Sequence, residues 1–172
     1  MGLDINSYKR LHPADESELE FADDGELLNW ESYVQIKPLA EMHEEYWPGR
    51  SAPYADEDAA EYYSFEDTAY MRAGSYAGYN MWRDILIDFV KREQLPANTF
   101  EELIEFSDCE GLIGSFVSEK LYHDFADNRQ LLDDFADGYF SDNENRDWFV
   151  EKYDEWTEMF DLARDNGAVE FC

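Results

Sequence analysis

The chain has 172 residues, 44% of them hydrophobic and 17% aromatic, with 42 acidic side chains against 13 basic ones for a net charge of -29. A chain of this length suits one domain that buries roughly 70% of its unfolded surface, and 5 Trp, 12 Tyr and 12 Phe exclude a disordered acidic chain, which lacks the aromatics to offset ordering entropy. The charge excludes bare nucleic acid and anionic membranes as direct partners.

From the N-terminus, Leu3-Asp-Ile-Asn-Ser-Tyr-Lys-Arg-Leu11 begins with the alternation of a strand, closed by Pro13. Residues 14–24 read as an acidic loop or short helix ended by Gly25. Residues 33–37 read as a second strand stopped by Pro38, and residues 39–46 as a short acidic helix before a Trp47-Pro48-Gly49 turn. Residues 51–61 carry four carboxylates without an apolar period and predict an exposed loop; Tyr62, Tyr63 and Phe65 open an aromatic segment running to Tyr70 and Met71, read as strand although its periodicity does not separate strand from helix. The centre of the chain is expected at residues 69–100, where three acidic residues face four basic ones, against 18 and 4 in residues 1–68 and 21 and 5 in residues 101–172. There Trp82, Ile85, Leu86, Phe89 and Val90 follow the period of one helical face over residues 80–92, with Asn80 as its expected cap and Lys91 and Arg92 at its C-terminus.

Thr99-x-x-Glu102 predicts a capping box for a short turn burying Phe100, Leu103 and Ile104, and Phe106 to Gly114 predicts a compact turn. Helices are expected at 115–127, with Val117, Leu121 and Phe125 inward, at 129–136, and after a Ser141-x-x-Glu144 box, where Phe149, Tyr153, Trp156, Phe160 and Ala163 form a seam. Gly167 ends the last helix and Ala168-Val-Glu-Phe171 is a closing strand. The predicted fold is α+β: a small antiparallel sheet packed against several amphipathic acidic helices, as a single domain over 1–172. The start Met1-Gly-Leu-Asp-Ile-Asn6 lacks a basic region followed by a long apolar run, so no secretory signal is expected. No apolar run approaches the roughly 20 residues that span a bilayer, and a cytoplasmic protein is expected.

Catalytic and metal signatures are weak. Cys109 and Cys172 have no CxxC spacing, and Asp108 and Glu110 beside Cys109 oppose a thiolate, so a small buried structural thiol is expected at 109. Gly111-Leu-Ile-Gly114-Ser115 lacks the lysine of a phosphate loop, and His12, His43 and His123 lack metal-ligand spacing, so no catalytic residue, metal or cofactor is expected. The last predicted helix presents Asp147, Glu151, Asp154, Glu155, Glu158, Asp161 and Asp165 mostly opposite its aromatic seam. Carboxylates about 5–6 Å apart on such a face can imitate a phosphate track.

The pairing of Gly74-Ser-Tyr-x-Gly-Tyr-Asn-x-Trp-Arg83 with Phe106-Ser-Asp-Cys-Glu-Gly-x-Ile-Gly114, behind the Met-Gly-Leu-Asp-Ile start, resembles a family of small bacterial and phage proteins of uncharacterised activity. The resemblance implies that these two turns face each other in a shared site or core. In size and charge the chain is also similar to phage anti-restriction and anti-CRISPR proteins that mimic DNA. It implies a phage-encoded, non-enzymatic inhibitor in the host cytoplasm, bound to the basic surface of a nucleic-acid-binding protein. The alternative is a small-ligand or enzymatic domain with a pocket lined by Tyr76, Tyr79, Asn80, Ser107 and Asp108.

Overall fold

Alternating apolar residues at the start of the chain build the strand on which the rest assembles. In the computed structural model, which describes residues 2–172, Gly2–Lys9 forms β1 with Leu3, Ile5 and Ser7 on one buried face. Short strands follow at His12–Pro13 (β2) and Tyr33–Gln35 (β3), then helix α1 at Lys37–Glu44, strands β4 at Tyr62–Ser64 and β5 at Asp67–Ser75, and helix α2 at Tyr76–Arg92. The second half contains α3 at Glu101–Ile104, β6 at Gly111–Gly114, the long helices α4 at Ser115–Tyr139 and α5 at Asn143–Ala163, and β7 at Ala168–Phe171. The strands form two antiparallel sheets, ordered β5-β1-β7-β6 and β2-β4-β3. The α+β architecture is the one predicted, with α2 and α5 packed on the four-stranded sheet.

The main core lies between that sheet and the helices. Trp82, Phe89, Phe149, Trp156 and Phe160 are all buried in it, as the aromatic seams predict. Trp82 lies nearly parallel to Tyr79 and Phe125, and Trp156 stacks on Phe160 and on Phe171 of β7. Two buried hydroxyls are bonded across elements: Tyr153 Oη donates to the Phe125 carbonyl at 2.7 Å, and Ser7 Oγ donates to that of Met159 at 2.7 Å. A smaller cluster of Tyr8, Leu11, Ile36, Ala40, Tyr54, Tyr63, Leu112 and Ala168 joins part of the sheet's outer face to α1 and the three-stranded sheet.

Several local expectations are corrected by tertiary contacts. Helix α2 starts four residues before Asn80, because Ser75 Oγ accepts the Gly78 N–H at 3.0 Å and caps it. Thr99 caps nothing; Phe100 takes the cap position at φ 60° and its N–H donates to Asp124 of α4 at 2.7 Å. The cap of α5 is Asp142 rather than Ser141. The second half of the 106–114 turn is β6, an edge strand paired with β7, so β7 sits inside the sheet between β1 and β6. The helices expected at 115–127 and 129–136 are one, because Ser118, Leu121, Phe125, Leu132 and Phe135 keep a single buried stripe across Asn128 and Arg129. The loop expected to be exposed at 51–61 buries Ser51 and Tyr54, and Pro38 lies in the first turn of α1 instead of ending a strand.

Candidate functional site

The acidic residues divide into two populations according to their neighbours. On α5 and just beyond it, Asp147 pairs with Arg146, Asp154 with Arg129, Glu155 with Lys152, Asp161 with Arg164, and Asp165 with Lys9 and Arg10. Glu151 and Glu158 are the two of the predicted seven without a cation within 4 Å among the described residues. Arg129 grips both oxygens of Asp154, at 2.6 and 3.0 Å, and thereby ties α4 to α5. Asp147, Glu151, Asp154, Glu155 and Glu158 do share one shallow surface with Val150. The predicted row is therefore contiguous over these five, but much of its charge is balanced in place.

A denser and less balanced acidic region lies around the small sheet, and the sequence reading did not single it out. Residues 14–61 contain fifteen Asp and Glu and only two basic residues, Lys37 and Arg50. Among the described residues only Glu41, facing Lys37 at 3.7 Å, has an ion pair in this stretch. The loop between β2 and β3 holds eight carboxylates over residues 15–31 and no cation. It is ordered without ion pairs. Asp15 caps a single turn of 3-10 helix at Glu16–Glu18 while the Glu18 carboxylate accepts from the Asp15 N–H. Asn29 bridges Glu18 O and Glu20 N, Phe21 and Leu27 pair backbones, and the Phe21 ring meets Tyr62 edge-on at 5.6 Å. Hydrogen bonds from Ser17 hold the Asp15 carboxyl below the usual aspartate range. The signal available in the sequence was the absence of any Lys or Arg between Arg10 and Lys37.

The first turns of α2 meet the 106–110 turn through Asn80, whose Nδ2 donates to Asp108 Oδ2 at 2.7 Å. Arg83 bonds to Asn80 Oδ1 and to the carbonyls of Ile104 and Phe106, and lies over the Tyr79 ring at 4.5 Å. Tyr79 is buried, and its hydroxyl titrates far above the usual range because of that burial. Ser107 is also buried and its Oγ accepts the N–H groups of Cys109 and Glu110, which closes the turn. Tyr76 is half-buried at the start of α2. Asn80, Arg83 and Asp108 thus form a polar brace between α2 and the 106–110 turn, while the buried Tyr79 hydroxyl has no hydrogen-bond partner. Cys109 is exposed, contrary to the buried thiol expected, and Ser107 Oγ lies 3.5 Å from its Sγ.

Among the described residues no three His, Cys, Asp or Glu side chains converge as metal ligands, and no helix is long and apolar enough to cross a membrane. Family models, curated proteins and solved structures yield no match to this chain.

Proposed function

We propose that this chain is a non-enzymatic, acidic interaction protein that occupies the basic nucleic-acid-binding surface of a partner, as a phage-encoded nucleic-acid mimic inhibiting a bacterial defence or nucleic-acid-binding protein. One observation carries the reading. Of 42 carboxylates, thirteen lie within 4 Å of a cation among the described residues, so the bulk of the negative charge is displayed to solvent by a folded surface. Charge held on a rigid scaffold costs less to present than charge on a flexible tail, since its ordering entropy is met by the core. Duplex DNA sets about one charge per 1.7 Å of its axis, and only a surface with several carboxylate rows approaches that density. The partner is a protein whose Lys and Arg otherwise hold phosphates.

Each exposed pair contributes on the order of 0.2–1 kcal/mol, so affinity is spread over many carboxylates and no single residue dominates. Association is fast at low salt and slows as screening shortens the field. The test is competition: the captured partner, titrated with this protein, releases duplex or single-stranded nucleic acid one for one, with affinity falling steeply as salt rises. A partner that holds this protein and its nucleic acid together, or binding indifferent to salt, would defeat the proposal.

A further inference from the structure

We propose that the loop at residues 15–31 is the docking element, and that its occupant is an extended, arginine-rich segment of the partner protein. The inference rests on the basic-partner reading above and locates where that partner binds. Three observations lead to it. Phe21, Leu28 and Trp30 stand on the loop at 45%, 54% and 65% exposure, beside Tyr70 of β5 at 61%. Two shallow grooves flank the loop. One is bounded by Glu16, Leu19, Phe21, Glu61 and Tyr62, the other by Asn6, Trp30, Glu31, Phe65 and Tyr70. Both are largely apolar, with Glu16 and Glu61 beside the first and Glu31 beside the second, and the open part of the sheet's outer face forms one wall of the second.

The third observation concerns two partly exposed rings elsewhere in the chain that each carry a cation. Arg164 lies over Tyr122 at 3.8 Å and Arg92 over Tyr139 at 4.7 Å. Among the described residues no cation lies over Phe21, Trp30 or Tyr70, and the loop has none of its own to supply. An arginine brings both things this surface lacks. Its flat guanidinium stacks on an aromatic face and its donors grip carboxylates, while its stem covers apolar surface. A nucleic acid or an anionic membrane brings aromatic or apolar contacts too, but is repelled by the eight carboxylates. The rings line two grooves on the two sides of one loop, which suits an extended chain rather than a flat basic face.

The test uses the whole protein and a fluorescein-labelled oligo-arginine peptide of about ten residues, the length of an extended recognition segment, read by fluorescence anisotropy at low salt. Trp30→Ala removes no charge and touches an exposed ring, so its fold is checked by circular dichroism and is expected to be unchanged. It should weaken peptide binding about tenfold, the scale of a lost desolvated cation–π contact. The variant Glu20→Gln/Asp23→Asn/Asp24→Asn/Glu26→Gln should weaken binding by at least as much. The control Asp147→Asn/Glu151→Gln/Glu155→Gln/Glu158→Gln removes the same number of charges from α5 and should stay within about twofold. Wild-type affinity in Trp30→Ala, or equal losses in the loop and α5 variants, overturns the docking site while leaving a basic partner in place on another surface. No peptide binding to the wild-type protein at low salt overturns both.

Discussion

Asp142 shows a carboxylate whose role is local rather than collective. Its Oδ1 accepts the Asn145 N–H at 2.9 Å at the start of α5, and this hydrogen bonding holds its carboxyl below the usual aspartate range. A depressed folded value means that the charged cap favours the folded state in full above the ordinary aspartate range. That contribution is lost as pH falls through the folded value. Asp142→Asn keeps a capping oxygen but has no charge to lose. The melting temperature of the wild type should therefore exceed that of Asp142→Asn at neutral pH, where the charge also favours the helix dipole, and the gap should close from about pH 5 downward. A gap that stays constant from neutral to acid pH would show that the charge contributes nothing at this cap. Caps were the least legible feature at this scale. Ser141, Thr99 and Asn80 all carry the right chemistry, yet a neighbour one residue away caps α5, Asp124 takes the Phe100 N–H, and Asn80 is held by Asp108 and Arg83. A capping pattern in sequence competes with any tertiary acceptor that arrives first, and only the folded chain shows which one does.

Among the elements, α2 and α5 were legible because their aromatic residues recur at helical spacing and all turn inward. Strand β6 was hidden: four residues that begin and end in glycine have no period, and their partner β7 lies more than fifty residues later. The continuity of α4 was hidden by Asn128 and Arg129, polar residues at the middle of its seam that bond to Asp124 O and to Asp154. The join between α5 and β7 depends on Gly167. A Cβ there would come 1.8 Å from the Tyr8 carbonyl oxygen and 2.9 Å from that of Ala163, so the clash is with backbone that cannot rotate away. Gly167→Ala should push β7 off β1 and cost at least the roughly 1–3 kcal/mol of core overpacking, lowering the urea midpoint with little change in slope. Retention of the wild-type midpoint would mean that this corner yields more freely than its packing implies. Nothing in the sequence beyond a glycine after a helix signals so close an approach, because the opposing carbonyl comes from the first strand.

For the molecule as a whole, the question is whether its charge stabilises or strains it. Fourteen ion pairs of Lys and Arg among the described residues favour the fold, and salt weakens them. Most lie at the surface with a cation shared between two carboxylates, and surface pairs are each worth little. Against them stands the mutual repulsion of a net charge of -29, which favours any expanded state and is also relieved by salt. The repulsion is larger, since most carboxylates lack a nearby cation, so added salt should stabilise this protein. Raising NaCl from about 0.01 M to about 0.15 M shortens the screening length from ~30 Å to ~8 Å and should raise the melting temperature. The gain should be uneven. Residues 14–61 hold one ion-paired carboxylate among fifteen, whereas α4 and α5 are tied by Arg129, so hydrogen exchange should slow most in the small sheet and its acidic loop. If that loop is the docking element, an arginine-rich peptide should reproduce the same local protection at low salt, where no screening competes. A melting temperature that falls with salt would mean that the ion pairs outweigh the excess charge. The acidic surface would then read as a brace for the fold rather than a display for a partner.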